Sequence, residues 1–115
     1  KVAMYELSEV VVFPSIEEPF GMVILEALKM HKPLIAFNTE TAMEIINDEN
    51  GLLVPVGDSS KMANAIVQVI TDPILNQKLV ANTTALFKAS SWEKITIQYL
   101  KVYKSLNTQK NNYNA

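Results

Sequence analysis

The chain has 115 residues and a mass of 12.8 kDa, room for one ordinary core and too little for two domains. Its 10 basic residues are all lysine, 12 residues are acidic and the net charge is −2, a balance that excludes nucleic acid as a partner on electrostatic grounds. With no cysteine and a single histidine, disulfides, cysteine-based zinc sites, thiol catalysis and a histidine pair are excluded as well.

Lys1 to Leu7 has helical character. Glu9-Val-Val-Val-Phe13 is a short apolar run rich in β-branched residues, the pattern of a strand buried on both faces. Pro14 and Ser15 stop it, and Ile16 to Phe20 form a loop with two acids and a proline. Gly21 opens Met22 to Lys29, a helix by its Leu, Glu, Ala and Lys content. Pro33 to Phe37 is a second buried strand. Thr41 to Ile46 makes one or two helical turns, and Asn47-Asp-Glu-Asn-Gly51 is a turn cluster. Leu52 to Val54 is a third strand, ended by Pro55.

The second half is helical. Asp58 or Ser59 caps a helix with Met62, Ala65, Ile66, Val69 and Ile70 on one face. Asp72-Pro73 is a cap followed by proline at the first helical position, and that helix runs to about Lys88. Ser90-Ser-Trp-Glu93 is a capping box. It opens a helix with Trp92, Ile95, Tyr99, Val102, Tyr103 and Leu106 along one stripe, expected to pack back onto the body of the domain. Residues 1–106 form the folded unit, and the polar tail 107–115 is expected to be disordered.

The order is βαβαβ followed by three helices. Alternating strands and helices mean a parallel sheet with right-handed crossovers, an α/β, Rossmann-like, partial doubly wound fold of about three strands. Three strands are few for that fold, and the first is apolar throughout. Either the chain is the second half of a larger domain, or self-association with another copy covers the exposed sheet edge.

Ligands of open α/β sheets bind beyond the carboxyl ends of the strands. The first such end is Phe13-Pro-Ser-Ile-Glu-Glu-Pro-Phe-Gly-Met22, running into a helix. A helix N-terminus offers N–H groups and a positive dipole end, which favours phosphate. Gly21 lets a ligand approach the backbone. Glu26 lies about 7.5 Å further along the helix axis, which suits a carboxylate reaching a ribose hydroxyl. Glu18, still in the loop, falls on the other side of the phosphates. Glu17 reads as a solvated acid and His31 as a turn residue.

This segment resembles the C-terminal nucleotide-sugar-binding domain of family-4 retaining glycosyltransferases, which have the GT-B fold. The resemblance rests on Pro14-Ser15, on Glu18-Pro-Phe-Gly-Met-Val-Ile-Leu-Glu26-Ala27, on Pro33-Leu-Ile-Ala36, Glu44-Ile-Ile46 and Asn50-Gly-Leu-Leu-Val54, and on Ser91-Trp92 with Tyr99 and Tyr103. It implies a transferase that takes a nucleotide-diphosphate sugar as donor substrate, with no cofactor and no metal site. The acceptor it implies is a saccharide or a lipid-linked acceptor, bound through an N-terminal domain expected to be missing from this chain. Glu18 would face the donor sugar and the reacting centre, and Glu26 would hold the ribose. Backbone N–H groups of Phe20, Gly21 and Met22 would hold the diphosphate. The parent enzyme is expected in polysaccharide or glycolipid synthesis, in the cytoplasm and peripheral to the inner membrane face. The isolated chain is expected to be inactive.

Departures from the family pattern are local. Glu40 and Thr41 stand where a glycine pair is common, His31 or Lys32 replaces a turn glycine, and Pro19 stands where glycine is frequent. The basic pair that usually clamps the diphosphate is missing. The alternative reading is a non-catalytic nucleotide-binding or scaffold module of the same architecture, which would not need Glu18. A phosphate receiver needs an aspartate at a strand's carboxyl end; the ends here are Phe13-Pro14, Phe37-Asn38 and Val54-Pro55.

Overall fold

The computed structural model describes residues 1–89 and 92–113, with side chains described for 1–85 and 93–106. Its elements are α1 (Val2–Leu7), β1 (Val11–Phe13), α2 (Met22–Lys29), β2 (Leu34–Phe37), α3 (Glu40–Ile45), β3 (Gly51–Val54), α4 (Ser59–Thr71), α5 (Pro73–Ala89) and α6 (Trp92–Tyr113). The strands form one parallel sheet in the order β1-β2-β3. This is the α/β, Rossmann-like arrangement expected from the alternation of strands and helices.

Strand periodicity divides the core in two. Leu34 and Ala36 of β2 join Phe13, Ile24, Ala27, Leu28, Ala42 and Ile46 on the side of α2 and α3. Ile35 and Phe37 point the other way and join Val54, Met62, Ala65, Val69 and Leu79 under α4 and α5. All four β2 residues are buried because β2 is central and helices cover both faces. Each large apolar side chain so buried stabilises the fold by about 1.5–3 kcal/mol. β1 differs from the expectation of complete burial: Val11 and Val12 are only half-buried. It pairs with β2 along one edge, and no other strand among the described residues lies along its second edge.

Caps expected from the sequence are in place. Asp58 accepts from the Lys61 N–H at 2.9 Å. Asp72 accepts from Ile74 and Leu75, both at 3.0 Å, so α5 starts at Pro73. Ser90 and Ser91, half of the expected capping box, lie outside the described residues. The turn before β3 is built on buried Asn50. Its amide accepts from the Asn47 N–H at 2.8 Å and donates to the Ile45 carbonyl at 3.0 Å. Its own carbonyl accepts from the buried Thr83 hydroxyl at 3.2 Å, which ties the turn to α5.

The last helix departs from expectation. Of the stripe, Tyr99, Val102, Tyr103 and Leu106 are more than half exposed, Ile95 is half-buried and the Trp92 side chain lies outside the described ones, so the described part from Tyr99 on does not pack onto the body of the domain. The accessible surface is 8212 Å², against about 6,300 Å² for a compact chain of this mass. The longest dimension is 66 Å. The helix also runs through residues expected to be a disordered tail, as far as Tyr113; residues 107–113 contain no glycine or proline to stop it. No helix among the described residues is long and apolar enough to cross a membrane.

Candidate functional site

The carboxyl end of β1 leads through residues 14–21 into α2. The turn is closed by Gly21, at φ +61° and ψ 36°, the left-handed conformation that glycine adopts without steric cost. A Cβ there would also meet Thr41 Cγ2 at 3.2 Å and Ile24 Cδ1 at 3.3 Å. The first α2 bond runs from the Leu25 N–H to the Gly21 carbonyl at 3.1 Å. Earlier N–H groups of the helix have no carbonyl one turn back and point out of its start. With the helix dipole they make this end attractive to an anion. Phe20 and Met22 flank it with 75% and 58% of their surface exposed, so a ligand can reach the backbone.

Glu18 sits in this loop, half-buried. Its carboxylate accepts from the Phe20 N–H at 3.4 Å, a long bond, and its carbonyl accepts from the Thr41 hydroxyl at 2.7 Å. Ser15 adds a bond from its hydroxyl to the Glu17 carbonyl at 3.1 Å. Glu18, Phe20 and Gly21 are therefore brought together at the start of α2, with Met22 next to them. One of the expected anion donors, the Phe20 N–H, is engaged by the loop's own carboxylate.

Glu26 has a different set of neighbours. Lys1 Nζ lies 2.6 Å from both carboxylate oxygens, and the Tyr5 hydroxyl donates to Oε2 at 2.9 Å. These contacts join α1 to α2. With one oxygen bonded by Lys1 and the other by Tyr5, a ribose hydroxyl would have to share Glu26 with Tyr5 or displace Lys1. Lys1, Tyr5 and Thr41 are the three partners of the site acids that sequence reasoning missed. Thr41 was visible only as a departure from a glycine position, and Tyr5 carried no signal at all.

The cluster has a pH signature. The Lys1 hydrogen bond, and after it the Tyr5 bond, hold the Glu26 carboxyl below the usual carboxylate range. Burial and then the Glu26 bond push Tyr5 up, and the Glu26 bond raises Lys1. A carboxyl with a lowered pKa stabilises the fold above its unfolded value, and that share is lost as pH falls through the folded value. The shares of Lys1 and Tyr5 are complete below their unfolded values and are lost as pH rises through the folded ones. The tether between α1 and α2 is thus expected to be intact at neutral pH and to open in acid. Amide exchange of α1 followed against pH measures this. Protection of α1 that stays flat below the carboxylate range would contradict it.

His31 is at φ +55° just after α2, a position that suits glycine, and its Nδ1 lies 3.0 Å from the Thr84 hydroxyl. It is a turn residue, as the sequence suggested.

Comparison with known proteins gives this geometry a context. The family described as Glycosyl transferases group 1 matches residues 1–86. The phosphatidyl-myo-inositol mannosyltransferase of Mycobacterium leprae is 30% identical over 110 residues, 94% of this chain and 29% of that protein. Sucrose-phosphate synthase of Thermosynechococcus elongatus superposes with a TM-score of 0.80 at 35% identity, over 92% of this chain and 27% of the other. HepE of Anabaena, solved in complex with UDP, superposes with a TM-score of 0.82 at 30% identity, over 89% of this chain and 29% of its own. The chain spans less than a third of each of these proteins. A family match over 86 of 115 residues, joined to the shared Rossmann-like half of a GT-B fold, leads to one conclusion: the chain belongs to the glycosyl transferases group 1.

Proposed function

We propose that this chain is the donor-binding part of a retaining glycosyltransferase that uses a nucleotide-diphosphate sugar. The acceptor is a saccharide or lipid-linked sugar held by the rest of the parent enzyme, and the product is a polysaccharide or glycolipid. The observation that carries this reading is the left-handed Gly21 at the open start of α2, directly after the loop that holds Glu18. The complex of HepE with UDP supports it, because that protein shares this part of the fold.

In this reading the diphosphate lies over the N–H groups of Phe20, Gly21 and Met22. The bond from the sugar's anomeric carbon to the diphosphate breaks, and the acceptor oxygen bonds to the same face of that carbon. The acceptor proton passes to the departing diphosphate. Charge builds on the diphosphate as it leaves, and fixed N–H dipoles at a helix end stabilise that charge most when it is largest. Glu18 lies beside the sugar and stabilises positive charge at the anomeric carbon. Glu26 holds the ribose. The Glu18 carboxylate and the diphosphate compete for the Phe20 N–H, and the diphosphate takes it. The displaced group then faces the sugar.

The test is the stereochemistry of transfer by the parent enzyme. UDP-glucose, GDP-mannose and ADP-glucose are supplied in turn and the product's anomeric configuration is read by proton NMR. A product with the donor's configuration is expected. An inverted product would overturn the retaining assignment.

A further inference from the structure

We propose that Thr41 is the positioning residue of the donor loop; this rests on the reading of Glu18 given above. A threonine inside a helix can bond back to the carbonyl four residues earlier, but Thr41 stands in the first turn of α3, where that carbonyl precedes the helix. Thr41, in α3, donates instead to the Glu18 carbonyl, 23 residues away, at 2.7 Å. That is the shortest bond the loop makes with the rest of the domain. It fixes the peptide unit from which the Glu18 side chain projects, while among the described residues the carboxylate itself has the single 3.4 Å bond to Phe20.

The methyl of the same side chain faces the other end of the loop: Thr41 Cγ2 lies 3.2 Å from where a Cβ on Gly21 would be. Position 41 therefore bonds to Glu18 and stands beside the left-handed turn that opens α2. Thr41 is itself held firmly. Thr39 caps α3 by accepting from the Ala42 N–H, and Ala42 is fully buried in the core beside Ile24 and Ile46. A glycine at position 41 would have neither the hydroxyl that bonds Glu18 nor the methyl beside Gly21. This chain has built its donor loop on a threonine clasp, and the clasp sets where Glu18 stands relative to the sugar.

Removing the hydroxyl should misplace Glu18 without removing it. A misplacement on the order of 1 Å costs up to about 100-fold in rate. In the parent enzyme, Thr41→Val keeps the size and loses the bond, and Thr41→Ser keeps the bond and loses the methyl. Release of nucleoside diphosphate is followed with whichever of UDP-glucose, GDP-mannose and ADP-glucose is turned over, alongside Glu18→Gln. The expected result is a kcat lowered about 10- to 100-fold in Thr41→Val, a donor KM within about threefold of the parent, and most of the rate kept in Thr41→Ser. A circular-dichroism melting curve matching the parent shows that the variant is folded, because a smaller folded fraction would lower the apparent kcat and leave KM unchanged. Thr41→Val as fast as the parent, beside an inactive Glu18→Gln, would overturn the clasp and leave the site standing. Thr41→Ser as slow as Thr41→Val would also overturn it, because the hydroxyl would then not be the active part. A fully active Glu18→Gln, or no turnover of any donor, would sink the site reading and this inference with it.

Discussion

Replacing Glu18 by glutamine in the parent enzyme is expected to lower kcat about 10²- to 10³-fold and to leave the donor KM within about threefold. The change is isosteric. The Thr41 hydroxyl still has the residue-18 carbonyl to bond, and the side-chain oxygen still accepts from the Phe20 N–H, so the loop keeps its shape. What disappears is a negative charge beside an anomeric carbon that becomes positive as its bond to diphosphate breaks. That loss falls on the transition state and hardly touches the bound ground state, which is the signature of a kcat effect. Steady-state kinetics decide the point. A raised KM with unchanged kcat would make Glu18 a binding residue. Full activity would favour a module of this architecture that does not use Glu18 at all.

Gly51→Ala is expected to be the most damaging small substitution in the fold. Gly51 opens β3 and pairs with Leu34 of the central strand. A Cβ there would lie 2.7 Å from the Leu34 carbonyl oxygen and 2.7 Å from Ile46 Cγ2. The first of these is backbone in the middle of the sheet and cannot move without breaking the ladder. Overpacking of this kind costs about 1–3 kcal/mol, and the backbone clash places Gly51→Ala at the upper end. In a domain of this size that lowers the melting temperature by roughly 10 °C or more. Gly57→Ala is the matched control. Gly57 is at φ +79° with nothing within 4 Å of a built Cβ, so only the left-handed backbone penalty of about 1–2 kcal/mol applies. Thermal unfolding followed by circular dichroism compares them. A Gly51→Ala melting curve that overlays the wild type would show that the sheet yields where the packing says it cannot.

The parts legible in the sequence are those written in short-range signals. Pro33 to Phe37 is a contiguous apolar run between breakers, and it became the central strand. Asp58 and Asp72 are caps that act within three residues of themselves, and both helices start where they indicate. Gly21 was legible for the same reason, since a glycine between a strand-end loop and a helix has few other uses. The contacts that shape the site were not legible. Tyr5 to Glu26, Thr41 to Glu18 and His31 to Thr84 span 21, 23 and 53 residues. Tertiary hydrogen bonds of that separation leave no periodicity behind them. The α6 stripe shows the limit of periodicity itself. Spacing reveals that a helix has an apolar face and says nothing about what covers it, and here Tyr99, Val102 and Tyr103 face outward. β1 is a similar case: its apolar run announced burial on both faces, and Val11 and Val12 are only half-buried within this chain.

The most direct test is to titrate UDP, GDP and ADP into the isotopically labelled chain and to record amide NMR spectra, with Glu26→Ala as the control. The account predicts that one of the three shifts the amides of Phe20, Gly21, Met22 and Val23 most, and that Glu26→Ala weakens its binding. Shifts centred instead on Ser8, Glu9, His31 and Asn76, which line a groove at the amino ends of the strands, would contradict it. So would binding that Glu26→Ala leaves unchanged.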